Sequence, residues 1–177
     1  SSTINLFEKS KIRNIVSKHL NTKSQNLIIC EYQFRLDYPQ DKKNILKPHQ
    51  DCSYYPQDGS ANQSLVCNIS LQNIKKQMGS TILYNRSHKL DVVKYQEKFK
   101  KNNLISTQKR INKNQINKFK KITLETSPGD VSFYDMKLVH CSGLNISNKI
   151  RISVIARIFN PFHKHFKCFQ KKTLLIN

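Results

Sequence analysis

The chain has 177 residues, 37% of them hydrophobic, which is enough for one domain with a sizeable core. No apolar run approaches the roughly 18 residues a membrane helix needs, and the opening Ser1-Ser2-Thr3-Ile4-Asn5 lacks the basic start and apolar stretch of a signal peptide. With 31 Lys and Arg against 11 Asp and Glu the formal charge is +20, which favours an anionic partner without identifying one, because a chain crowded with Lys, Asn and Ile also results from a nucleotide-biased coding sequence.

In chain order, residues 5–20 carry Leu6, Phe7, Ile12, Ile15, Val16 and Leu20 at helical spacing, and Asn21-Thr22 ends this amphipathic helix. Asn26–Arg35 reads as a strand. A polar loop containing Pro39 and Asp41-Lys42-Lys43 follows, and Pro48 leads into His49-Gln50-Asp51. Turn signals at Pro56 and Asp58-Gly59-Ser60 precede a strand over Ser64–Leu71, and Gly79 opens a short strand over Ser80–Tyr84. The stretch 89–121 is a basic insertion, dense in lysine, whose Val92, Val93, Tyr95 and Phe99 fit one helical face at its start. It is either a solvated loop or a cationic lid over a site. Ile122–Glu125 and Val131–Tyr134 read as strands on either side of the Pro128-Gly129-Asp130 turn. In the strand Ile150–Phe159, Ile150, Ile152, Val154 and Ala156 alternate with Arg151, Ser153, Ile155 and Arg157. The tail, residues 161–177, mixes Phe with Lys and His and fits no element. Its His163 and His165 have no carboxylate beside them and read as a surface pair. Many short strands separated by turns point to a mainly β barrel or sandwich forming a single domain over residues 1–177.

The cysteines, Cys30, Cys52, Cys67, Cys141 and Cys168, are odd in number and form no CxxC pair, which argues for a reducing, cytoplasmic compartment. The missing initiator Met reads as a trimmed chain.

The chemistry concentrates in His49, Asp51 and His140. Two imidazoles and one carboxylate occupy one face of a non-haem iron(II) ion and leave the other positions open for substrate and oxygen. His49 and Asp51 are two apart, so on an extended segment they project to the same side, and His140 must come from another strand alongside. Cys52 and Cys141 each adjoin one of these residues, but strand alternation points them away as small buried residues. Arg151 and Ser153 also share a face, and a guanidinium beside a hydroxyl suits one carboxylate. Tyr54, Tyr55 and Tyr134 are candidates for pocket walls or for ordinary packing. Each of these residues alone has a bland reading as a core, turn or ion-paired side chain; it is their joint arrangement that points to a metal.

The ordered motifs resemble the phytanoyl-CoA dioxygenase (PhyH-like) family of iron(II)- and 2-oxoglutarate-dependent oxygenases over residues 26–160. The resemblance rests on His49-Gln50-Asp51, on the run from Gly79 to Lys89, on Pro128-Gly129-Asp130-Val131-Ser132-Phe133, and on the run from His140 to Ser147 with Arg151 eleven positions after His140. It implies a double-stranded β-helix, a jelly-roll, cupin-like barrel with iron at its mouth, held by His49, Asp51 and His140. It also implies that Arg151 binds the distal carboxylate of 2-oxoglutarate. Ser142 resembles the family's serine near this cosubstrate, and Gln33 resembles a cosubstrate-contacting glutamine of ectoine-hydroxylase-like members. The chain departs from the family in reading Asn85-Arg86-Ser87-His88 where a Pro-Gly-Ser-His turn is usual, and in having little helix ahead of the barrel.

The expected reaction is oxidative decarboxylation of 2-oxoglutarate by O2, giving succinate and CO2 and coupled to hydroxylation of a small, acidic substrate. Two other readings remain. One is a basic, non-catalytic module that binds nucleic acid or another polyanion on a vestigial barrel, although the strands lack interleaved aromatic and basic residues for stacking bases. The other is a peptidyl hydroxylase with the same metal centre. The sequence names neither the substrate nor the oligomeric state.

Overall fold

The structure, a computed structural model, describes residue 7 and residues 11–55, 64–93, 95–96, 99–101, 104–106, 110–164 and 166. Helix α1 (Ile12–His19) is the described part of the expected N-terminal helix. It lays Ile12 and Val16, followed by Leu20, onto a four-stranded antiparallel sheet. That sheet runs in the order β1 (Ile28–Asp37), β11 (Arg151–Phe159), β2 (Ser64–Ser70) and β9 (Val131–Asp135). A second sheet runs β10 (His140–Ser142), β3 (Thr81–Tyr84) and β8 (Lys121–Thr123). His49 bridges to His140, which adds the stretch ahead of Asp51 to the free edge of β10. With that stretch counted, the chain alternates between the two sheets except from β3 to β8, which pair in the same sheet and are joined by the insertion.

The large sheet has two unlike faces because side chains alternate along a strand. On its outer face Val154, Ala156 and Ile158 of β11 join Leu65, Cys67 and Ile69 of β2 beneath α1. Each fully buried aliphatic side chain there contributes roughly 1.5–3 kcal/mol. The inner face is apolar at one end, where Val66, Tyr134 and Phe159 pack with Cys52, Tyr55 and Met136. It turns polar toward the other end, where Gln33 lies opposite Ile155, Arg35 opposite Ser153, and Asp37 opposite Arg151.

This polar row depends on an irregularity in β1. The register with β11 slips between Cys30 and Gln33, so the residues facing inward change parity along the strand: Ile28 packs into the inner cluster, while Ile29 and Tyr32 pack into the outer one. An added residue of this kind re-aims the side chains that follow it. Here it turns Gln33, Arg35 and Asp37 toward the barrel interior.

The start of the basic insertion departs from the expected helical face. It forms two short antiparallel ladders, β4 (Tyr95–Gln96) with β7 (Arg110–Ile111) and β5 (Phe99–Lys101) with β6 (Leu104–Ser106), followed by the short helix α2 (Lys113–Ile116). Valine and aromatic residues favour a pleated surface over a helix, and in this short run that preference overrides the helical spacing. Asn112 caps α2 through a reciprocal pairing with Gln115. No described helix is long and apolar enough to cross a membrane.

Candidate metal centre

Backbone pairing brings the two histidines together. His49 N–H donates to His140 O and His140 N–H to His49 O, both at 3.0 Å, and Ser142 N–H donates to Leu46 O at 3.1 Å. The imidazole centroids lie 4.3 Å apart. Asp51 reaches them differently from the expectation of a shared strand face. The extended backbone ends at Gln50, and Asp51 opens a 3₁₀ turn, Asp51–Tyr54. Its Oδ1 nevertheless sits 3.3 Å from His49 Nε2 and 3.5 Å from His140 Nε2. The three candidate ligand atoms lie within 4.8 Å of one another, and all three residues are buried.

Gln50, between two of the ligands, is fully buried and points the other way. Its amide nitrogen donates to Lys137 O at 2.7 Å, and its carbonyl accepts from Val93 N–H at 2.8 Å. One side chain thus ties the motif to the β9–β10 turn and to the base of the insertion. Ile111 N–H, donating to Pro48 O at 2.9 Å, makes a second tie.

The protonation pattern suits a cation. His49 Nδ1 lies 2.7 Å from Lys47 O and His140 Nδ1 lies 3.0 Å from Leu138 O. A carbonyl only accepts, so each Nδ1 carries a hydrogen and each Nε2 is left facing Asp51. Second partners of this kind fix the tautomer and orientation of metal-binding histidines. Burial, reinforced by the neighbouring His49, lowers the His140 pKa to about 4, so its contact with Asp51 is not an ion pair near neutral pH. Burial alone would raise the Asp51 carboxyl, but the Arg157 guanidinium, 3.0 Å from Oδ2, holds it well below the usual carboxylate range. Two imidazole nitrogens and an ionised carboxylate oxygen aimed at one point make a ligand set for a positive ion. The donor set fits a borderline first-row metal ion.

The sequence matches the phytanoyl-CoA dioxygenase family over residues 4–153. The chain belongs to this family. No curated protein matches the sequence significantly. Among solved structures the chain resembles EvdO2 from Micromonospora carbonacea var. aurantiaca complexed with 2-oxoglutarate, with a TM-score of 0.68 and 15% identity over 90% of this chain and 63% of that one. It also resembles the epimerase SnoN in complex with Fe3+, alpha-ketoglutarate and nogalamycin RO, with a TM-score of 0.66 and 17% identity over 90% of this chain and 59% of that one. For AviO1 from Streptomyces viridochromogenes the TM-score is 0.65 and the identity 15%, over 89% and 61%. The chain therefore spans less than two thirds of the length of these structures, and at such identities the likeness speaks to the fold.

In this member of the phytanoyl-CoA dioxygenase family the other sequence-selected residues gather around the same barrel mouth. Arg151 is buried, with Nε and Nη2 donating to Asp37 Oδ2 at 3.0 and 2.5 Å. Ser153 is buried with no hydrogen-bond partner for its hydroxyl. Ser142 Oγ accepts from Arg35 Nη2 at 3.1 Å and from Leu46 N–H at 3.0 Å. Gln33 Oε1 accepts from Arg157 Nη1 at 3.2 Å. Tyr134 is buried with its ring edge-on to His140 at 5.0 Å, and burial pushes its phenol pKa up. Tyr54 is half-exposed, 6.0 Å from the His49 ring, whereas Tyr55 packs on Phe159 in the inner core. Cys52 is in that core, and Cys141 packs beside the Tyr84 and Val139 cluster, so neither is drawn into the donor set.

Sequence reasoning did not place four residues of consequence: Arg157 beside Asp51, Arg35 and Asp37 beside Arg151, and Gln50 as the tie to the insertion. The period-two pattern of β11 held the signal for Arg157, since Arg151, Ser153, Ile155 and Arg157 share a face. Nothing local signals Asp37 or Arg35, because their inward aim follows from the irregularity in β1.

Proposed function

We propose that this chain is an iron(II)- and 2-oxoglutarate-dependent oxygenase that hydroxylates a small anionic molecule, releasing succinate and CO2. The observation that carries this reading is the convergence of His49 Nε2, His140 Nε2 and Asp51 Oδ1, with both Nδ1 atoms tied back to carbonyls. His49, Asp51 and His140 would hold the metal, and Arg151, with Ser153 and Ser142, would hold the distal carboxylate of the cosubstrate. When bound, iron with 2-oxoglutarate and oxygen supplies the oxidative decarboxylation that drives C–H hydroxylation. The protein's own part is positioning and exclusion of water. Tyr134 and the inner core close the site from behind, and Gln33 steadies Arg157 beside Asp51.

A cleft of about 950 Å³ opens from His49 and Asp51 to the surface. Its wall carries Lys42, Lys43 and Lys47 from the loop after β1 and Arg110 from the insertion, and among the described residues Asp51 is its one acidic lining residue. Such a wall attracts an anionic substrate. It also favours the lid reading of residues 89–121, because Arg110 reaches the cleft and Ile111 is bonded to Pro48. The free thiols of Cys52, Cys67 and Cys141 suit a cytoplasmic location. A polyanion-binding module on a vestigial barrel has no use for three buried donors aimed at one point, which favours the enzyme.

The test is succinate formation by the iron-loaded protein with 2-oxoglutarate, measured against a panel of carboxylated, phosphorylated and neutral small molecules. The expected result is coupling above background with an anionic member. Coupling only with neutral or cationic molecules overturns the anionic assignment, and no iron-dependent succinate under any condition overturns the enzyme.

A further inference from the structure

Asp37 already fills the fork of Arg151. Its carboxylate accepts four N–H bonds: Nε and Nη2 of Arg151 both to Oδ2, and Nε and Nη2 of Arg35 to Oδ2 and Oδ1 at 3.0 and 2.6 Å. Asp37 stands directly opposite Arg151 across the β1–β11 ladder, and Asn145 fixes its backbone by donating to the Asp37 carbonyl at 2.9 Å. This chain has built a carboxylate site from two guanidiniums and occupied it with a carboxylate of its own.

Two further observations indicate that this is a resting arrangement. Ser153, one step along the inner face, has the only buried side-chain polar atom without a partner among the described residues, and such an atom calls for an explanation. The inner cavity between Arg151 and the candidate metal ligands measures only about 50 Å³. A water occupies roughly 30 Å³, so the space beside Arg151 is narrow; the adjoining cleft has room for most of a dicarboxylate, but its distal end meets the Arg151 fork only if Asp37 gives way. The partners differ in freedom to move: the Asp37 side chain is 12% exposed, against 3% for Arg151. Asp37 is the one that can turn outward.

We propose that Asp37 is an internal competitor for the cosubstrate. Its carboxylate occupies Arg151 until the distal carboxylate of 2-oxoglutarate displaces it, and Ser153 supplies the donor that the incoming group takes up. This rests on the reading of Arg151 as the cosubstrate anchor. If the open arrangement is a minor population, the apparent affinity is reduced by that fraction. A carboxylate that merely orients Arg151 would act in the opposite direction.

The experiment is anaerobic calorimetric titration of the iron(II)-loaded protein with 2-oxoglutarate, for wild type, Asp37→Asn, Arg151→Gln and the double variant. Asp37→Asn keeps the shape and removes the charge, so binding should tighten on the order of tenfold. The gain should vanish when Arg151→Gln is added. Asp37→Ser, which opens room beside both guanidiniums, should tighten binding as well and covers the case in which the Asn variant folds poorly. Unchanged or weaker binding in folded Asp37 variants, with Arg151→Gln still weakening the wild type, overturns the competitor and leaves the anchor standing. If Arg151→Gln leaves affinity unchanged, the anchor reading itself fails, and the competitor with it.

Discussion

Replacing Arg157 by Met removes the guanidinium 3.0 Å from Asp51 Oδ2 while keeping a long side chain against the barrel wall. The pair is nearly sealed, with side-chain exposures of 14% for Arg157 and 3% for Asp51. Removing one partner of such a buried pair costs about 3–5 kcal/mol, because the remaining charge is left uncompensated. In metal-free protein the two histidines also contact Asp51, but Arg157 is the largest of its charge partners. The low end, about 3 kcal/mol, corresponds to a fall in Tm of roughly 6–12 °C for a domain of this size. Iron(II) would restore the missing positive charge, so the metal-loaded variant should lose much less. In a closed thermodynamic cycle the difference reappears as metal affinity, at about 1.4 kcal/mol per tenfold. Arg157→Met should therefore bind iron(II) more tightly, by up to about a hundredfold. The assay pairs thermal melts of metal-free and metal-loaded protein with anaerobic competition against a chelator. An unchanged metal-free Tm, or weaker iron binding, refutes the view that Arg157 and the metal share Asp51.

Gln50→Leu strands the Lys137 carbonyl and the Val93 amide, bonded at 2.7 and 2.8 Å in the native protein; each orphaned buried group costs about 1–3 kcal/mol. Melting temperature should fall, and protease cleavage within residues 89–121 should quicken, as the insertion loses one of its ties. Cys67, buried between the large sheet and α1 with its thiol pKa pushed up to about 12 by burial, should resist alkylation in native protein and react fully once unfolded, as mass spectrometry would show.

The alternation of β11 and the segment rich in β-formers at β2 were legible in the sequence, because burial on a pleated sheet leaves a period of two. His49, Asp51 and His140 were legible for a different reason: metal chemistry restricts which residue types serve. Even so, Asp51 reaches the site from a 3₁₀ turn, and the strand argument put it on the correct side for the wrong reason. The insertion was misread because the spacing of Val92, Val93, Tyr95 and Phe99 fits a helix while their residue types favour strands. Asp37 and Arg35 were not legible, since one slip in the β1 register reverses which residues face inward, and that slip depends on a partner strand far along the chain.

The most direct test of the central claim is an anaerobic iron(II) titration, counting metal bound per chain. Wild type should bind one iron(II), and His140→Ala, which deletes a ligand without touching the Arg157–Asp51 pair, should bind it far more weakly while retaining its fold. Iron binding by His140→Ala as tight as wild type would contradict the assignment of His49, Asp51 and His140 as the metal centre.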